Sequence, residues 1–288
     1  MNRLIGIILV GISAASFGTF AVLGRYAYAD GLDAPTILFL RFSLATLVLI
    51  PLLVVRRARL PRGPSLARLV GMGAIGYVGQ AMAYLTALKY ASAGLVALLL
   101  YLYPIIVALL SAIVLREKIT RPAALALTLA VIGLALTVGP EGGQLPGILL
   151  AIAAAVIYSV YILVGNQVLK QVSPLMSSTI IFGSAAAVSG LLMLLAGGPH
   201  WPGSSAGWAT IGAIVLIATV VAVVTFLAGL ERIGPTSAAL LSTLEPAVTV
   251  ALAALLLGES LKPLSLLGGG LILLAVVLLT RSELRRQG

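Results

Sequence analysis

Apolar residues fill this chain in ten blocks of membrane-spanning length, separated by short polar and basic bursts. A helix rising ~1.5 Å per residue needs about 20 such residues to cross a ~30 Å hydrocarbon layer. The blocks lie near residues 3–24, 35–55, 66–88, 93–115, 122–138, 146–168, 175–196, 208–230, 236–257 and 263–280. Each predicts one transmembrane helix, and the connections are too short to hold a soluble domain. Arg3 before the first block and Ser13-Ala14-Ala15 within it imitate a cleavable leader. The alignment of this block on the sixth argues that it stays in the protein.

That alignment belongs to an internal repeat. Residues 88–117 align without a gap on residues 230–259, pairing Leu98-Leu99 with Leu240-Leu241, Pro104 with Pro246, and Glu117 with Glu259. Leu and Ala dominate both windows, so the weight rests on the shared spacing of Pro, Glu and the run between them. Gly6 through Gly24 likewise aligns on Gly147 through Gly165. The predicted units are residues 1–140 and 141–288, each with five spans. Five is odd, so the second unit is inverted in the membrane relative to the first, and a pathway is expected at their interface near the midplane.

Composition agrees with this picture. With 61% hydrophobic and 9% charged residues, and a mean hydropathy of +1.17, the chain has more apolar surface than a soluble fold of 288 residues could bury. The net charge of +10 is a topology signal, because the basic residues cluster between the blocks. With the N-terminus in the cytoplasm, 14 of the 18 basic residues fall inside: Arg3, Arg56, Arg57, Arg59, Arg62, Arg68, Arg116, Lys118, Arg121, Lys170, Arg232, Arg281, Arg285 and Arg286. Only Arg25, Lys89 and Lys262 fall outside, and Arg41 stays within the membrane. Both termini are therefore expected in the cytoplasm. There is no Cys, and the lone His200 is read as a loop residue, so no metal site and no cofactor are expected. Nucleic acid is not an expected partner.

Leu102-Tyr103-Pro104 through Leu115-Arg116-Glu117, its counterpart Leu244-Glu245-Pro246 through Leu257-Gly258-Glu259, and Arg41-Phe42 together resemble the EamA-type branch of the drug/metabolite transporter superfamily. The resemblance covers the whole chain and extends to bacterial aromatic amino acid exporters. It implies an all-α integral membrane protein: ten helices, as two inverted five-helix repeats, surround a central cavity lined by helices 1, 3, 4, 6, 8 and 9.

Charges at membrane depth are costly and mark candidates for function. Glu245 lies about 14 Å from the cytoplasmic end of its span and Arg41 about 9 Å below the outer end of its own. They are expected either to form a structural ion pair or to leave Glu245 free to bind a substrate ammonium or carry a proton. Pro104 and Pro246 sit mid-span and free the carbonyls of Leu100 and Ser242, which suits either paired hinges or static kinks. Ser242, Glu245 and Thr249 share one helix face, as do Tyr77, Gln80 and Tyr84. With Phe17, Tyr101, Tyr158 and Tyr161 they make up the expected substrate site. Phe20 lies one turn from Phe17. Tyr26, Tyr28, Tyr90, Trp201 and Trp208 suit the interfacial belt instead. Gly71, Gly73, Gly76, Gly79, Ala218, Ala222 and Gly268 to Gly270 are read as helix-packing positions, and Glu117 and Glu259 as local partners of Lys118 and Lys262.

The expected function is export of small metabolites, neutral and aromatic amino acids foremost, across a bacterial inner membrane by alternating access. Efflux of hydrophobic drugs or lipophilic cations is the alternative. A channel would lack saturation and trans-stimulation. No catalytic constellation is found at membrane depth, so an enzyme is not expected. The partners are the small-molecule substrate and the lipid bilayer, and a monomer is compatible with this layout.

Overall fold

In a bilayer every backbone amide must find its partner within the protein, and a chain this apolar satisfies that by becoming helical almost throughout. The computed structural model describes residues 2–56, 60–114, 121–138, 144–168, 172–242, 244–260 and 262–287, and no strand occurs among them. Arg57, Arg59, Arg116, Glu117, Lys118 and Lys170 lie outside the described residues, as do the side chains of Arg3, Pro104, Arg285 and Arg286.

Polar caps and glycines set the helix ends. α1 (Asn2–Gly18) and α2 (Phe20–Ala29) form one path interrupted at Thr19. α3 (Ala34–Val55) starts at Asp33, whose carboxylate accepts the Thr36 N–H at 3.0 Å. α4 (Pro64–Gly71) passes through a π-helical stretch, Met72–Tyr77, into α5 (Val78–Ala87). Ser92 caps α6 (Ala93–Leu100), which turns at Tyr101 and Leu102 into α7 (Tyr103–Val114). α8 (Arg121–Val138), α9 (Leu145–Val168) and α10 (Pro174–Leu195) follow. Gly197 and Gly198, at φ 110° and 103°, turn the chain after α10 as few other residues could. α11 (Ser205–Val215) continues through a second π-helical stretch, Leu216–Val221, into α12 (Ala222–Ser242), then α13 (Leu244–Leu257) and α14 (Pro263–Gln287).

Five helical stretches are long and apolar enough to cross a membrane: Leu4–Ala29, Ala34–Val55, Leu145–Gly165, Leu175–Leu195 and Ser205–Phe226. Shorter apolar helices cover Ala93–Val107, Ala124–Leu136, Leu244–Leu257 and Leu266–Leu278. Two expectations need correction. The proline-bearing fourth span is two helices, so Pro104 stands in the first turn of α7, where a missing N–H costs least; residue 243, just before α13 and Pro246, lies outside the described residues. The expected loop at 231–235 instead continues α12 as helical backbone. A polar segment can satisfy its own amides in a helix as readily as an apolar one.

The main packing pairs are α1 with α12, α5 with α9, α3 with α10, α8 with α14, and α6 with α13. Small residues permit these approaches. A Cβ on Gly73 would sit 2.2 Å from the Ile181 carbonyl oxygen, and one on Gly6 would sit 2.5 Å from Ile233. Ala218 and Ala222 are fully buried, whereas Gly71 and Gly270 face open space and are not contact positions. Large side chains such as Ile75 and Leu255 are 77% and 80% exposed. An outer surface this apolar suits lipid and not water.

Candidate functional site

Two interruptions, at Thr19 and at Tyr101–Leu102, flank one cavity of about 110 Å³. That is several times the ~10–15 Å³ one water requires. α1 and α2 contribute Phe17 and Phe20, and α3 contributes Arg41. The third-span face brings Tyr77, from the end of the π-helical stretch, with Gln80 and Tyr84 one and two turns on. Leu100, Tyr101 and Tyr103 come from the α6–α7 break, Tyr158 from α9 and Glu245 from the first turn of α13.

One hydroxyl ties the two proline-bearing segments together. The Tyr101 phenol donates to the Ser242 carbonyl and lies 3.0 Å from Glu245 Oε2. Pro246, four residues on from Ser242, has no amide hydrogen to give that carbonyl, and the tyrosine of the other half donates to it. Tyrosine rings continue from there along one wall. Tyr101 meets Tyr103 edge-on at 5.6 Å, Tyr103 meets Tyr158 at 4.8 Å, and Tyr158 stacks on Tyr161 at 5.8 Å. Tyr161 also lies 5.8 Å from Tyr77, which lies against Phe182 and Phe42. Quadrupole-matched contacts of this kind hold the rings rigid.

Of the residues expected in the site, Phe17, Tyr77, Gln80, Tyr84, Tyr101, Tyr158 and Glu245 line the cavity. Tyr161 backs Tyr158 and Tyr77 from behind, and Ser242 takes part through its carbonyl. Thr249 stays one turn from Glu245 but does not line the cavity. It is 2% exposed, and its hydroxyl lies 2.9 Å from the Gly18 carbonyl and 3.1 Å from that of Glu245. Phe20, Leu100 and Tyr103 join the same wall. Tyr101 and Tyr103, two apart, would point away from each other on an unbroken helix, and only the break lets both face the cavity.

Arg41 and Glu245 share the cavity but form no ion pair among the described residues. Arg41 is 4% exposed. Its Nε–H donates to Thr219 Oγ1 at 2.9 Å, and its guanidinium lies 4.0 Å over the Phe20 ring. Thr219 sits in the π-helical stretch, where its hydroxyl also lies 2.9 Å from the Ile214 carbonyl. π-helical turns concentrate at functional positions because they offer backbone and side-chain groups that a regular helix hides.

Glu259 likewise finds other partners than the expected lysine. Its carboxylate accepts the Ala93 and Gly94 N–H groups at 2.7 and 3.1 Å, capping α6, and lies 3.9 Å from Arg25. Arg25 also donates to the Ala91 carbonyl at 2.9 Å. His200 lies 3.4 Å from Asp33, and its N–H donates to Thr36. Trp201 and Trp208 stack on each other half-exposed, as side chains of a boundary region do.

Comparison with known proteins places this geometry. A transporter of Archaeoglobus fulgidus, described as uncharacterized, is 27% identical over 272 residues, 94% of each chain. YyaM of Bacillus subtilis, also described as an uncharacterized transporter, is 26% identical over 291 residues, 94% of this chain and 92% of its own. A protein of known crystal structure superposes with a TM-score of 0.69 over 98% of this chain and 99% of its own, at 22% identity, and so shares the fold. The pattern of one transporter family matches twice, over residues 4–139 and again over 145–281. With apolar helices throughout and a polar-aromatic cavity among them, the chain is a multi-pass membrane protein and belongs to the EamA-like transporter family.

Proposed function

We propose that this transporter exports small metabolites, neutral and aromatic amino acids foremost, by alternating access at the cavity around Glu245. The supporting observation is that a carboxylate and the Gln80 amide stand within flat aromatic walls beside the helix breaks at Thr19 and Tyr101–Leu102. Ring faces suit an apolar side chain, and the polar groups suit a charged end. The packing also favours two inverted five-span halves: α1 with α12 corresponds to α9 with α5 when the halves are exchanged, and α3 packs on its own counterpart α10. Ten spans with both termini in the cytoplasm of a bacterial inner membrane complete the reading.

A shared proton supports coupling through Glu245. The Tyr101 phenol has one hydrogen and faces two acceptors, the Ser242 carbonyl and Glu245. A protonated Glu245 donates to the phenol oxygen and completes both contacts, and an ionised Glu245 competes for the single hydrogen.

Counterflow tests this reading. Liposomes carrying the purified protein, loaded with unlabelled amino acid, should accumulate labelled phenylalanine, tyrosine, threonine or methionine. Accumulation of a lipophilic cation alone would move the function to drug efflux, which the aromatic walls and the carboxylate also favour.

A further inference from the structure

We propose that Arg41 is the anion-binding residue of the cavity: it takes the carboxylate of the ligand, and the site selects molecules that carry a negative group, zwitterions above all. This rests on the cavity's being the substrate site. A guanidinium has five N–H donors, and a buried one ordinarily spends them on carbonyls or carboxylates. Arg25, whose side chain is 36% exposed, turns to the Ala91 carbonyl and Glu259. Arg41 is 4% exposed, yet among the described residues only its Nε–H has a protein acceptor, Thr219. Its two terminal NH2 groups have none, and the residue lines the cavity.

The surroundings hold it in that pose. Phe20 covers the guanidinium from 4.0 Å, and Thr219 engages the edge nearest the backbone. The opposite, forked edge is the one that matches a carboxylate in two parallel hydrogen bonds. Glu245, in the same cavity but outside ion-pair distance, leaves room for a ligand to bridge the two charges. A purely cationic ligand would leave Arg41 buried without a counter-ion and add like-charge repulsion.

The test is calorimetric binding to the purified full chain in detergent, with L-phenylalanine, 3-phenylpropanoate, phenethylamine and tetraphenylphosphonium as probes. The carboxylate probes should bind about 10-fold or more tighter than phenethylamine. Arg41→Gln should abolish that preference by weakening the carboxylate probes about 10-fold or more without weakening phenethylamine, and Arg41→Lys should keep part of it. Equal binding of phenylalanine and phenethylamine to the unaltered protein would overturn the proposal, whatever the variants do. Full preference in Arg41→Gln, or no binding of any carboxylate, would overturn it too. Binding of 3-phenylpropanoate without phenylalanine would uphold Arg41 and remove the amino acid reading. Phenylalanine counterflow without a carboxylate preference would do the reverse.

Discussion

A single phenol joins the two proline-bearing segments, and two substitutions separate its structural contact from the part played by the carboxylate beside it. Tyr101→Phe removes the donor to the Ser242 carbonyl, to which Pro246 has no amide hydrogen to give. Losing a side-chain hydrogen bond costs about 0.5–1.5 kcal/mol, so thermal denaturation in detergent should show a less stable protein. Glu245→Gln keeps the shape and a hydrogen-bonding group near Tyr101 while deleting the charge. It should fold normally and lose about 10-fold or more of its counterflow rate. Full activity in that variant would remove the carboxylate from the mechanism. Both acidic and aromatic candidates could be found in the sequence because intramembrane charge and clustered tyrosines are rare. The partner of Arg41 could not, since Thr219 is 178 positions away and carries no distinguishing pattern.

Among elements, the consequential contacts are those that let helices approach or that complete a broken one. Gly73 abuts the Ile181 carbonyl at the contact with α10, so Gly73→Val should destabilise by about 1–3 kcal/mol through overpacking. Gly71→Ala, two residues earlier and facing open space, should be neutral or slightly stabilising, which makes the pair a test of packing against mere helix propensity. Glu259→Gln should weaken the start of α6 by about 1 kcal/mol, readable as faster amide exchange at Ala93 and Gly94. Spans were legible at this scale from apolar block length alone. The split of the fourth span was not, because a proline signals a disturbance without saying whether a helix bends there or begins again.

For the molecule as a whole, the decisive observations concern sidedness and kinetics. A reporter fused after Gly288 should read out as cytoplasmic, and an external signal would reverse the assignment of both termini. The chain has no cysteine, so a single Phe17→Cys variant gives an unambiguous probe of the cavity. Substrate should slow its reaction with a small thiol reagent, and no protection would place the substrate elsewhere. What the amino-acid sequence determined by itself was the class: a helical membrane protein of duplicated pattern, with Glu245, Arg41 and several tyrosines as its unusual groups. Those properties reside in composition, block length and internal likeness, which need no fold to be read. Only the tertiary structure decided that Arg41 and Glu245 share a cavity without pairing, that Tyr101 donates to the Ser242 carbonyl, and that Glu259 caps α6. Each joins residues more than 140 positions apart, and the orientation of two side chains across helices depends on packing depth and on helix breaks, neither of which local sequence periodicity encodes.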